Sequence, residues 1–167
     1  MAAVRIERLR ETIAHLEGEG AEGAGATRAL GVAGLDEALG GGLLAGALHE
    51  VHGNGADAPS AFGFALALAA TLSHAPRPVL HVTLPHGEGE WGRPYGPGIA
   101  AFGFDPGRLL FVRAGRPSEA LWAAEEALGC AALGAVILEI PGSPSVLDLT
   151  ATRRLSLRAA RHGVAAI

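Results

Sequence analysis

Apolar and polar positions form alternating strand-like and helix-like segments from residue 30 to the end of the chain. Short apolar runs predict strands at 47–51, 78–84, 108–113, 134–140 and 164–167. Longer runs predict helices at 60–74, 97–103, 117–132 and 148–162, and a short helix ended by glycines at 34–42. Strands that alternate with helices in this way predict an α/β fold, with a doubly wound, mostly parallel sheet flanked by helices.

A separate amphipathic helix is predicted before this core, within residues 1–17. Its apolar stripe consists of Ile6, Leu9, Ile13 and Leu16. Residues 18–29 are rich in glycine and glutamate, which predicts a flexible linker, and the core then covers residues 30–167. Two interpretations of the helix stay open. It packs on its own core, or it docks on a neighbouring subunit or partner and so supports a homo-oligomer.

Composition narrows the class of protein. Hydrophobic residues make up 49% of the chain and charged residues 18%, which excludes intrinsic disorder. The longest apolar stretch, 62–72, is shorter than the roughly 20 residues that span a bilayer. The charged start does not resemble a secretory signal, so a cytoplasmic protein without membrane association is predicted. The net charge of −4 disfavours non-specific binding to nucleic acid.

Cysteine and histidine usage predicts neither a disulfide nor a metal site. The single cysteine, Cys130, falls within the predicted helix 117–132, where we expect it to be a small core residue. His49, Glu50 and His52 lie on a predicted strand and lack the spacing of a zinc-binding helix.

A strand, a glycine-containing turn and a helix form the usual context of a phosphate-binding loop. In residues 53–60, Gly53 fits the first glycine of the G-x-x-x-x-G-K-[ST] pattern and Ser60 fits the final hydroxyl. Ala58 replaces the second glycine, and Pro59 replaces the lysine that would meet the phosphates. Asp57 adds a negative charge beside this position, and we expect its carboxylate to cap the following helix. The loop is therefore interpreted as degenerate.

The loss of the lysine predicts a protein that is not an enzyme and holds no cofactor. All 13 basic residues are arginine, so no lysine elsewhere can replace it. Glu139 ends the fourth core strand, where a Walker-B acid would hold Mg²⁺, but an acid at a strand end is more often a solvated tip or the partner of a helix cap. Leu84 and Pro85 end the second core strand, where a general base would be needed.

Several stretches resemble the RecA superfamily, over about four-fifths of the chain. They are residues 35–43 (Leu-Asp-x-x-Leu-Gly-Gly-Gly-Leu), Gly46, residues 50–53 and the strand 135–140. Within that superfamily, residues 92–106, 117–128 and 147–155 resemble ImuA, a RecA-like accessory protein of bacterial SOS mutagenesis. The resemblance implies a RecA-like fold and a role in the response to DNA damage, through translesion DNA synthesis. It also implies contacts with an ImuB-like protein, an error-prone C-family DNA polymerase and RecA.

The resemblance also shows where this chain departs from RecA. Pro59 and Pro85 replace the phosphate-binding lysine and the catalytic glutamate, and Tyr95 falls near the adenine-stacking tyrosine. The chain stops within a predicted strand, so we expect a core truncated at its C-terminus. The loop 141–145 is short and uncharged, which predicts weak or no direct binding to DNA.

One helix of the core carries a candidate partner surface. Arg154, Arg158 and Arg161 form a basic stripe, which is either a solvated face or a contact for an acidic tail or DNA phosphate. Trp122 is likewise either a core residue or a partner anchor. The leading hypothesis is a non-catalytic adaptor. The alternatives are a cell-division inhibitor similar to SulA that binds FtsZ, and an ATP-binding protein with an atypical phosphate loop.

Overall fold

The computed structural model describes residues 26–53, 57–73, 76–85 and 92–167. The predicted N-terminal helix, with Ile6, Leu9, Ile13 and Leu16, lies outside the described residues. So do most of the predicted linker and residues 54–56 of the degenerate phosphate loop.

The elements follow one another as the sequence pattern predicts, with shifts at their ends. First come strand β1 (Thr27–Arg28), helix α1 (Ala33–Ala38) and strand β2 (Leu43–Leu44). Helix α2 (Ala58–Leu72), strand β3 (Val79–Thr83) and helix α3 (Gly96–Ala101) follow. A 3₁₀ turn (Pro106–Arg108) leads into β4 (Leu109–Arg113), helix α4 (Pro117–Leu128), β5 (Ala135–Leu138), α5 (Leu149–His162) and β6 (Ala165–Ala166).

A parallel four-stranded sheet forms the centre of the molecule, in the order β4-β3-β5-β6. All three pairings in this sheet are parallel. The predicted strand 47–51 is reduced to one parallel bridge between Leu48 and Ala166, which adds to the β6 edge. Backbone hydrogen bonds from His49 to Ala166, and from Ala166 to Ala47, hold that segment in place. The α/β class and the flanking helices are thus confirmed.

Each face of the sheet has its own apolar core. Helices α4 and α5 cover one face, where Leu121, Leu128 and Leu155 pack with Val82 and Val136. Helix α2 covers the other face, where its buried residues pack with Val79, Leu109 and Ile137. This division follows from the strands, because successive side chains point to opposite faces.

The glycine-rich block 35–43 builds a compact turn beside this core. The Asp36 carboxylate accepts hydrogen bonds from the backbone amides of Leu30 and Gly31, at 2.6 and 2.9 Å. Gly42 has φ +119° and lies so close to β1 that a Cβ would collide with the carbonyl of Arg28. Thr27 and Arg28 lie in the segment predicted as a linker, but they form β1 because their backbone pairs with β2.

The end of helix α4 differs from the prediction, whereas the end of helix α5 agrees with it. Helix α4 ends at Leu128 rather than at residue 132, because Gly129 ends the helix and the chain turns there. Cys130 therefore lies in a turn and is exposed, so its predicted place in the core is wrong. Helix α5 begins after Asp148, whose carboxylate accepts the Ala151 amide, and it ends at Gly163 in the left-handed conformation.

Candidate functional site

Two cavities meet near the carboxyl end of β3. The first, here called the aromatic groove, has a volume of about 730 Å³ and lies between α2 and α3, over β3 and β4. The second, the strand-end cavity, has a volume of about 660 Å³ and is lined by residues 48–53, the end of β5 and the loop after it. The cavities share the lining residues Ala58, Phe62, Thr83, Leu84 and Glu139. Ligands of parallel α/β sheets bind in this position, outside the carboxyl ends of the strands.

The degenerate phosphate loop borders both cavities. Gly53 lines the strand-end cavity, Ala58 lines both, and Pro59 lines the aromatic groove. Pro59 is the second residue of α2, where it has no backbone N–H to donate to an anion. Ser60 is exposed in the same first turn.

The predicted helix cap at Asp57 is wrong. Asp57 precedes α2 at the N-cap position, but its side chain makes no capping hydrogen bond. Its backbone, at φ −96° and ψ 0°, departs from the extended conformation of a typical N-cap residue. A cap would also bind the amide of the second or third helical residue, and proline removes the second one. The exposed Asp57 carboxylate instead adds negative charge at the helix start.

A buried histidine binds the strand-end acid. The ring of His81, on β3, is almost completely buried, and its Nε2 donates a hydrogen bond to Oε2 of Glu139 at 2.9 Å. The hydroxyl of Thr83 reaches the same oxygen at 3.3 Å. The His81 ring stands between Phe62 and Phe111, with centroid distances of 4.6 and 5.7 Å. Glu139 is therefore tied to the neighbouring strand.

These contacts change the acidity of Glu139. The hydrogen bond from His81 lowers the pKa of the Glu139 carboxyl below its ordinary value, although partial burial opposes the change. Attraction to His81 and the hydrogen bond from Thr83 act in the same direction as the first effect. The carboxylate is thus ionised near neutral pH. Within the described residues, Nδ1 of His81 is buried and has no hydrogen-bond partner.

Sequence reasoning named Glu139 as a Walker-B-like position of a degenerate site but missed its partner His81. The available signal was a histidine in the middle of the apolar strand 78–84, where a buried polar side chain needs a partner. Tyr95 lines the aromatic groove and has 71% of its surface exposed.

Two of the three arginines in the basic stripe of α5 form contacts within the molecule. Arg154 pairs with Glu125 of α4 at 2.8 Å. Arg158 donates to the Glu125 carbonyl at 2.9 Å and lies 3.5 Å from the Glu126 carboxylate. Arg161 is exposed. Trp122, on α4, has 66% of its surface exposed.

The described ranges contain no group of three or more histidine, cysteine or acidic side chains that could hold a metal ion. No helix in those ranges is long and apolar enough to cross a membrane.

Comparison with known proteins finds structural similarity among solved structures. No protein-family model matches the chain, and no curated protein matches it. Among solved structures, the crystal structure of SulA from Pseudomonas aeruginosa is similar, with 19% sequence identity and a TM-score of 0.48. The match covers 71% of this chain and 95% of that one.

Proposed function

We propose that this chain is a RecA-like, non-catalytic scaffold that acts through protein contacts in SOS-induced translesion DNA synthesis. Its partners are an ImuB-like protein, an error-prone C-family polymerase and RecA, as the sequence resemblance to ImuA implies. The scaffold binds neither nucleotide nor metal and works in the cytoplasm.

The charge of the strand-end cavity carries the non-catalytic part of this proposal. Among the described residues that line it there is no arginine, and the chain has no lysine. Glu50 and Glu139 line the cavity, and Asp57 stands exposed beside it. A triphosphate would need cationic and backbone N–H donors here, and a charge-assisted hydrogen bond contributes about 1.5–3 kcal/mol. The cavity instead offers two carboxylates, and Pro59, next to its lining residue Ala58, has no N–H to donate.

The hydrogen bonds of Glu139 support the same conclusion. A Walker-B acid must be available to water in the shell of Mg²⁺. Here one carboxylate oxygen accepts hydrogen bonds from His81 and Thr83, and the ring of His81 is held between two phenylalanines. The acid therefore has a structural role that joins β3 to β5.

Isothermal titration calorimetry with Mg-ATP tests whether the scaffold binds nucleotide. We expect no saturable heat up to millimolar nucleotide, with RecA as the positive control in the same buffer. A micromolar Kd would overturn the non-catalytic part of the proposal and favour the ATP-binding alternative.

Pull-down experiments test the partners. We expect the purified chain to retain the ImuB-like protein, the C-family polymerase or RecA from defined mixtures. An FtsZ polymerisation assay on the same preparation separates the alternative function. Retention of none of the three proteins, or inhibition of FtsZ polymerisation, would contradict a role in translesion synthesis.

A further inference from the structure

Helix α5 carries a regular ridge on its outer side. Leu149, Arg153, Leu157 and Arg161 follow one another at intervals of four residues, so they lie along one ridge of the helix surface. Leu149 has 85% of its surface exposed and Leu157 has 59%. Arg153 and Arg161 are exposed between and beyond them. Leucine and arginine thus alternate along the solvent side of the helix.

The fold itself does not need this ridge. Helix α5 packs on the sheet through Ala151, Leu155 and Ala159, which are buried on a different side. The ion pairs described above join Arg154 and Arg158 to α4. The ridge is therefore an additional apolar surface on a helix that is already fixed on two sides, and such a rigid surface loses little entropy on binding.

Further exposed apolar residues lie just before α5 and on the adjoining helix α4. Val146, just before α5, is 42% exposed. On α4, Trp122 lies one helical turn before Glu126, and Glu126 pairs with Arg158 of α5. Tryptophan and arginine are the residue types that contribute most often to binding energy at protein interfaces.

We propose that this ridge binds an acidic amphipathic helix of a partner protein. The inference deepens the proposed scaffold function and rests on it. A helical occupant fits because rows of side chains spaced by four residues pack into the grooves of a second helix. An acidic occupant fits because α5 contains four arginines and no acidic residue, and the two ion pairs above engage only Arg154 and Arg158.

Two other occupants fit the surface less well. A second copy of the same ridge would bring arginine against arginine, and like charges across an interface disfavour binding. A membrane surface would need a continuous apolar side, but Arg153 stands between the two leucines. The acidic helix is the occupant that satisfies both the leucines and the arginines.

Fluorescence anisotropy with a designed peptide tests the inference. The probe is a labelled synthetic helix in which leucine and glutamate alternate at four-residue intervals, and its control is a scrambled peptide of the same composition. We expect saturable, salt-weakened binding of the first peptide only. We expect Leu157→Ser and Leu149→Ser each to weaken binding about tenfold, which corresponds to about 1.4 kcal/mol. Arg153→Glu should weaken it by a similar factor.

The matched control is Phe102→Ser, which removes an exposed apolar side chain from the aromatic groove. This variant should bind the peptide like the unaltered chain, and circular dichroism should show native helix content for every variant. The inference is overturned by equal binding of both peptides, by no binding up to about 1 mM, or by loss of binding only in Phe102→Ser. It is also overturned if the chain binds vesicles with phosphatidylserine, or forms dimers, through Leu149 and Leu157. A negative peptide result with intact retention of the protein partners would leave the scaffold function standing.

Discussion

The two faces of the central sheet are covered to different extents. On one face, α4 and α5 bury a continuous core and are joined by the pairs between Arg154, Arg158 and α4. On the other face, α2 buries its inner side, but the short helix α3 leaves the aromatic groove between them. Phe111, on the edge strand β4, is half exposed there. One face thus contributes mainly to stability, and the other retains space for a ligand or a partner side chain.

The two faces also differ in where their polar contacts lie. On the face covered by α4 and α5, here called the closed face, the ion pairs lie between the two helices, where both arginine side chains are about half exposed and solvent partly screens them. On the face covered by α2, here called the grooved face, the main polar contact joins the buried ring of His81 to the partly exposed carboxylate of Glu139. A single substitution should therefore have a larger effect on the inner pair than on the outer ones.

The largest difference is expected between a core leucine and an edge phenylalanine. Leu128→Ala, on the closed face, removes a fully buried side chain and should lower the free energy of unfolding by about 2–5 kcal/mol. Phe111→Ala removes a half-exposed ring and should cost clearly less. Urea unfolding followed by circular dichroism measures both, and equal losses would contradict the difference between the faces.

The next effect concerns the pair of His81 and Glu139. Glu139→Leu leaves Nε2 of the buried His81 without an acceptor, so we expect a loss of about 1–3 kcal/mol in unfolding free energy. Glu139→Gln keeps an acceptor and should lose less. The double variant His81→Leu/Glu139→Leu removes both polar groups and should recover part of the loss. Additive losses in the double variant would show that the two residues do not interact.

The pH dependence of stability follows from the lowered pKa of Glu139. Ionised Glu139 is stabilised in the folded state, so this contribution is complete above 4.5, the ordinary pKa of the carboxyl, and is lost as pH falls through the lower folded pKa. The difference in unfolding free energy between the unaltered chain and Glu139→Gln should shrink as the solution is acidified. A difference that is constant across the acidic range would contradict the assignment.

The smallest effect is expected for the pair between the two helices of the closed face. Arg154→Ala should lower the unfolding free energy by no more than about 1 kcal/mol, because more than half of the Arg154 side chain is exposed. High salt should reduce the effect further. Chemical unfolding at two ionic strengths measures it, and a loss as large as that of Leu128→Ala would be inconsistent with this account.

The sequence pattern predicted the order and type of the core elements well. Long periodic segments such as α2 and α5, and apolar strands such as β5, are recognised from local spacing alone. The end of α5 was also predictable, because Gly163 supplies the left-handed residue that follows a helix. The end of α4 was missed because four residues after Leu128 continue the alanine-rich pattern without continuing the helix.

The site was harder to predict because it depends on long-range pairing. His81 and Glu139 are 58 residues apart, and only the adjacency of β3 and β5 brings them together. The failed cap at Asp57 depends on backbone angles that the residue type does not determine. Glu125 and Glu126 neutralise part of the positive charge of the basic stripe of α5. These pairs could not be predicted without knowing how the two helices pack.

The turn built by Asp36 and Gly42 shows what the glycine-rich block 35–43 contributes to the molecule. The aspartate holds the backbone of its own turn, and the glycine lets two chain segments pass closely, so both residues serve the local backbone shape. A sequence motif of this kind therefore indicates a local backbone conformation and not a chemical activity.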